Sequence, residues 1–86
     1  SAWAAISWPV QVQVVLRSGQ LIAAHALVFP QQSDQDRQIN NYAIPVLEQE
    51  AVQAQSARVD TVSGATYTSD GYARSLQAAL DLAHRS

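Results

Sequence analysis

The sequence predicts an α+β fold: a small antiparallel sheet built on an N-terminal β-hairpin, with helices packed on it. Three observations predict it. Residues 10–17 alternate apolar and polar side chains, the period of a half-buried strand. Ser18-Gly19 then separates this run from a second β-rich run at 21–29, as a tight hairpin turn would. Two later stretches, 39–54 and 69–84, repeat apolar residues at three- and four-residue steps, the stripe of an amphipathic helix. With a short strand expected at 56–62, the order is β-β-α-β-α, a sheet with helices on one face.

Each element has its own grounds. In "VQVQVVLR" Val10, Val12, Val14 and Leu16 point one way, and Gln11, Gln13, Val15 and Arg17 mostly the other. Pro9 can stand at the strand start, where no ladder donor is needed. "LIAAHALVF" is apolar on both faces and predicts a central strand, ended by Pro30. The polar run "QQSDQDRQ" leads into a helix with Ser33 or Asp34 as N-cap. From Ile39, the residues Tyr42, Ala43, Val46, Leu47, Ala51 and Ala54 keep helical spacing. Pro45 interrupts them and cannot donate an interior helix hydrogen bond, which predicts two pieces or a kink. "SARVDTV" has the length and β-branching of a short strand. Tyr72, Leu76, Leu80 and Ala83 mark the closing helix, with Ser69 and Asp70 as its expected caps.

Length and composition narrow the function classes. The 86 residues suggest one domain, placed at 9–86, with residues 1–8 as an N-terminal segment that suggests a trimmed end of a longer or exported precursor. At this size only about 60–65 % of the unfolded chain's surface can be buried, so the core is small. The chain has no cysteine and no lysine, which removes disulfides, thiolate metal sites and Schiff-base chemistry. The net charge is −2 and the five arginines (Arg17, Arg37, Arg58, Arg74, Arg85) are scattered. Nothing forms the basic stripe of a nucleic-acid binder. No apolar run approaches the roughly 20 residues that span a bilayer, and no signal-peptide pattern is present.

The chemistry concentrates in "VSGATYTSDG", residues 62–71. Four hydroxyls (Ser63, Thr66, Thr68, Ser69) surround the small residues Gly64 and Ala65 just before the last helix. Gly64 permits a bend and a close approach by a ligand. Helix N-termini favour anions, because their amides point outward unpaired and the dipole is positive there. The residues therefore describe a phosphate site, although capping alone also explains such a loop. Elsewhere the bland reading prevails. His25 suits a core or sheet face, and His84 suits a helix C-terminus. Glu48 and Glu50 do not share a helix face. No cluster has metal-ligand spacing, and the Gly-x-Ser-x-Gly pattern of hydrolases is absent.

Asp60, Ser63, Gly64, Ala65 and Thr66, followed by Thr68 and Ser69, resemble the signature of the FMN-binding domain family. That family includes the flavin-carrying subunits of sodium-pumping quinone reductases and Rnf-type electron-transfer complexes. Its hallmark is an Asp, two intervening residues, then Ser/Thr-Gly-Ala-Thr. An Ile39-Asn40…Ala43…Pro45…Leu47 segment is also similar, and the resemblance covers about residues 9–83. It implies FMN joined to Thr66 by a phosphodiester, set there by a flavin transferase that takes FAD and releases AMP. Ser63, Gly64, Ala65, Tyr67, Thr68 and Ser69 would form the attachment loop. Asp60 would be the carboxylate the transferase recognises, or would order the loop by accepting backbone N–H bonds. Tyr67, Tyr72, Tyr42 or Trp8 would pack on the flavin ring. The resemblance further implies an electron carrier rather than a stand-alone catalyst, working outside the cytoplasm or at a membrane face beside a membrane-bound redox partner. Non-covalent FMN binding, and a non-redox module that binds a phosphorylated ligand or a protein, are the alternatives.

Overall fold

A computed structural model describes residues 2–7, 10–30 and 33–84 of the chain. Its elements are β1 (Ala2–Ser7), β2 (Val10–Arg17), β3 (Gln20–Val28), α1 (Asp34–Ala54) and α2 (Thr66–His84). The three strands form one antiparallel sheet in the order β1-β2-β3. The hairpin forms as the sequence predicts. Ser18 and Gly19 both take positive φ (53° and 80°), which matches the right-handed twist of the flanking strands. The alternation in β2 also holds: Val10, Val12 and Val14 are buried, and Leu16 packs on the same core. Leu47 of α1 and Tyr72, Leu76 and Leu80 of α2 complete that core.

Several expectations need correction. The strand at 21–29 was expected in the middle of the sheet, but β3 is an edge and β2 is central. The register between them slips between Gln11 and Val12 and between Val15 and Leu16, so Leu27 and Ile22 have no opposite number. Those two residues and Val28 remain about half exposed, which accounts for a strand that is apolar on both faces yet buried on one. The free edge of β3 is covered by side chains from the helices. The Gln55 amide accepts from Leu21 N–H (2.9 Å) and donates to Leu21 C=O (2.8 Å), as a neighbouring strand would. Glu48 accepts from Ala26 N–H and Tyr72 O–H donates to Ala24 C=O. Such cover blocks edge-to-edge pairing.

The third strand comes from the other end of the chain. Residues 2–7 form β1 and pair with β2, Trp3 opposite Val14 and Ala5 opposite Val12. The strand expected at 56–62 is instead irregular. Its N–H groups are used locally: Val59 N–H reaches Ala57 C=O and Arg58 N–H reaches Ser56 Oγ. Short-range bonds of this kind compete with a ladder, and Val59 and Val62 reach the core without one.

Pro45 does not divide α1, which runs unbroken from Asp34 to Ala54. The carbonyl that Pro45 leaves without a donor belongs to Asn41, four residues back. Asn41 and Pro45 are both exposed, so water can serve that carbonyl. Ser33 is the N-cap, as expected, with its Oγ accepting from Asp36 N–H (3.0 Å). α2 begins at Thr66 rather than Ser69, so Ser69 and Asp70 are not its caps. α2 lies over β1 and β2, and α1 lies over β3.

Candidate functional site

The segment between the helices is built by a few anchors. Gln55 ends α1 in the left-handed conformation (φ 56°). Val62 and Ala65 are buried and hold the two ends of a tight turn. Ala65 N–H closes that turn on Val62 C=O (2.9 Å), with Ser63 and Gly64 in its corner. Gly64 has φ +81°, the value that the third position of a type II turn requires. A Cβ placed there would meet nothing within 4 Å. Glycine is therefore demanded by the backbone angle, and the space beside it is open.

Two side-chain bonds fix the turn to the body of the protein. Ser69 Oγ accepts from Val62 N–H (3.0 Å), and Tyr42 O–H from α1 donates to Ser63 C=O (3.0 Å). Immediately after the turn, Ser69 N–H donates to Ala65 C=O (2.8 Å), the first helical bond of α2. Ala65 is thus the residue before the helix, and its methyl group cannot cap. Among the described residues the amides of Thr66, Tyr67 and Thr68 have no acceptor, and the first turn of α2 carries no acid. Asp70, in the next turn, faces Arg74 (3.1 Å).

The hydroxyl cluster read from the sequence is divided by this geometry. Ser63 and Thr66 are exposed beside Gly64. Thr68 and Ser69 are 5 % and 2 % exposed, so they face inward and Ser69 serves the turn. Tyr67 follows Thr66 and is 60 % exposed. Asp60 is exposed, and none of the hydrogen bonds among the described residues ends on its carboxylate, so the structure gives no support to its turn-ordering role. Of the aromatic candidates, Tyr72 is corrected: it is fully buried and cannot meet a ligand ring. Burial first, and then the Glu48 carboxylate, push its phenol well above the ordinary tyrosine range. Trp8 lies outside the described residues.

Sequence reading missed Ser75. It is fully buried, and its Oγ accepts from Val12 N–H (3.1 Å) and donates to Ala5 C=O (2.7 Å). Ala5 and Val12 are register partners, so a helix hydroxyl bridges the β1–β2 ladder. The available signal was a serine among the apolar stripe of Tyr72, Leu76 and Ala79.

The site can therefore present the exposed Thr66, with exposed Ser63 and Tyr67 on either side of it in the chain, at the head of a helix whose first amides are unfilled. Such a head suits the oxygens of a phosphate group. The family model described as the FMN-binding domain matches residues 7–81. Among solved structures, the crystal structure of the CPE2226 protein from Clostridium perfringens is similar with a TM-score of 0.78. That likeness is at 15 % identity and covers 99 % of this chain and 88 % of the other. At such identity it is a likeness of fold. A comparison with curated proteins finds no match.

Proposed function

Because the chain belongs to the FMN-binding domain family, whose cofactor is FMN, we propose that it carries FMN on Thr66 as a phosphodiester and relays electrons through it. The residues present fit the group. An FMN phosphate brings oxygens that need donors, and the amides of Thr66, Tyr67 and Thr68 are donors without acceptors. The observation that carries the reading is the exposed Thr66 hydroxyl at that helix head. Ser63 stands beside it in the exposed corner, and Gly64 and Ala65 add no bulk there.

Attachment needs a flavin transferase and FAD. The Thr66 Oγ1 forms the new bond to the flavin-side phosphorus while the bond between the two phosphates breaks, AMP leaves, and the hydroxyl proton passes to a base of the transferase. Asp60 presents an exposed carboxylate six residues before the acceptor, which supports a role in recognition by that enzyme. Once bound, FMN supplies the redox chemistry, and the chain supplies position and electrostatics. The partner in electron relay is a reductase at or in a membrane, on its extracytoplasmic side. No helix among the described residues is long and apolar enough to cross a membrane itself.

The test is co-expression with a flavin transferase, followed by intact mass measurement. The expected result is a gain of one FMN less one water in the parent protein and no gain in Thr66→Ala. Retained covalent flavin in Thr66→Ala would move the anchor elsewhere. Reversible binding of FMN by both proteins, without a mass gain, would replace the covalent reading by a non-covalent one. In the same time course Asp60→Asn should incorporate flavin more slowly, and equal rates would remove its charge from the recognition step.

A further inference from the structure

Thr66 accounts for the phosphate end of FMN and leaves its ring without a seat. The described surface near Thr66 holds two exposed aromatic side chains, Tyr67 at 60 % and Tyr42 at 53 % exposure. They differ in how they are held. The Tyr67 hydroxyl has no hydrogen-bond partner among the described residues, whereas the Tyr42 hydroxyl is bonded to Ser63 C=O at 3.0 Å. That bond ties a side chain of α1 to the corner of the attachment turn. Two residues, Gly64 and Ala65, separate Ser63 from Thr66, so their Cα atoms lie at most about 11 Å apart. Val46, one turn further along α1 on the same side as Tyr42, is also exposed at 39 %, and Pro45 between them is exposed too. An apolar strip thus begins at a pinned phenol beside the attachment turn.

We infer that Tyr42 is the positioning residue for the flavin: its phenol, oriented by the bond to Ser63, is the platform on which the isoalloxazine ring of Thr66-linked FMN stacks, with Val46 extending the apolar seat. An aromatic already fixed in place loses little freedom when a second ring lies on it, which favours stacking over a freely rotating side chain. The Tyr42–Ser63 bond also limits the distance between platform and anchor, because one end of it stands in α1 and the other in the turn that Ala65 N–H closes and Ser69 holds. This inference rests on the Thr66 reading and adds a residue from a different helix to it.

Flavin fluorescence separates the two. A tyrosine stacked on isoalloxazine quenches its emission, so emission per attached flavin reports the stacked fraction. The parent protein, Tyr42→Phe and Tyr42→Leu are each loaded by the transferase, and mass measurement fixes the flavin content. Losing one aromatic stacking pair should lower the stacked-to-free ratio about fivefold, so Tyr42→Leu should be correspondingly brighter at equal flavin content. Tyr42→Phe loses both the bond to Ser63 and the electron-rich phenol that quenches, so it too should be brighter than the parent. Leu suits an exposed helix position, and circular dichroism checks that folding is unchanged. Full flavin content with the same emission in all three proteins overturns the inference while leaving the Thr66 anchor intact. A parent protein without attached flavin overturns the anchor, and the inference with it.

Discussion

The two helices begin in opposite ways. α1 satisfies its own N-terminus: Ser33 accepts from Asp36 N–H three residues on, and Asp34 and Asp36 put negative charge against the positive end of the dipole. α2 does neither. Ala65 precedes it, its first turn has no acid, and the hydroxyls of Ser69, Tyr72 and Ser75 are bonded to other segments rather than to its own amides. At three-residue steps, Ser69 reaches Val62, Tyr72 reaches Ala24, and Ser75 reaches Val12 and Ala5. The partners of Ser75 lie 63 and 70 residues away in sequence. The lesson is that similar residue types serve local closure in one helix and long-range bracing in the other. A helix head braced from below and unfilled above is available to an anionic group, and the family cofactor carries one.

Breaking the bracing side of this comparison should have the largest effect. Ser75→Ala strands a buried N–H on Val12 and a part-buried carbonyl on Ala5, each of which loses its hydroxyl partner. The expected loss is about 1–3 kcal/mol, toward the upper end because two groups are affected. Urea denaturation of the parent and variant measures it, and a change within error would mean that the two strands re-pair directly.

Tyr72 tests the same bracing by pH. Its folded-state pKa is raised, chiefly by burial. The neutral phenol is therefore favoured in the folded protein. Its contribution to stability is complete below the ordinary tyrosine pKa of about 10 and is lost as pH rises above that value. Where the unfolded chain has lost the proton and the folded chain keeps it, the slope approaches about 1.4 kcal/mol per pH unit. Tyr72→Phe removes this slope and also the bond to Ala24 C=O. Denaturation curves at neutral pH and near pH 11 (about one unit above the ordinary value) should therefore converge for Tyr72→Phe relative to the parent. Parallel losses in both proteins would assign the alkaline sensitivity to other groups.

The smallest effects come from exchanging the helix heads. Ser33→Ala should cost about 1 kcal/mol and leave flavin incorporation unchanged. Ala65→Ser gives α2 the cap it lacks, stabilising the flavin-free protein by about 1 kcal/mol and slowing incorporation at Thr66, because a hydroxyl then occupies an amide meant for the phosphate. Thermal melts and the mass-based time course read both arms. Faster or equal incorporation in Ala65→Ser would show that the open amides have no part in holding the phosphate.

Much of this organisation is legible in the sequence. The β2 alternation and Ser18-Gly19 specified a hairpin, because side-chain period and positive φ are local properties. Ser33 was legible as a cap for the same reason. The run from Asp60 to Ser69 resembled the signature of the FMN-binding domain family, to which the chain belongs. Failures came where a segment's fate depended on what lay beside it. Residues 21–29 suit a central strand equally well, and only the pairing of β1 with β2 made β3 an edge. Residues 56–62 carry strand-forming side chains, but the free edge of β3 was already covered by Gln55, Glu48 and Tyr72.

By itself, then, the sequence determined the strands of the hairpin, the existence of two helices, the turn at Gly64 and the family to which the chain belongs. These follow from periodicity, backbone angles and short motifs, which act within a few residues of each other. Tertiary structure alone decided which hydroxyls of the cluster face solvent. Ser63 and Thr66 remain outside while Thr68 and Ser69 are buried, because α2 starts at Thr66 and its stripe against β1 and β2 fixes the rotation of the whole helix. It also brought Tyr42 to Ser63, across 21 residues, since only the packing of α1 on β3 sets where that phenol can reach.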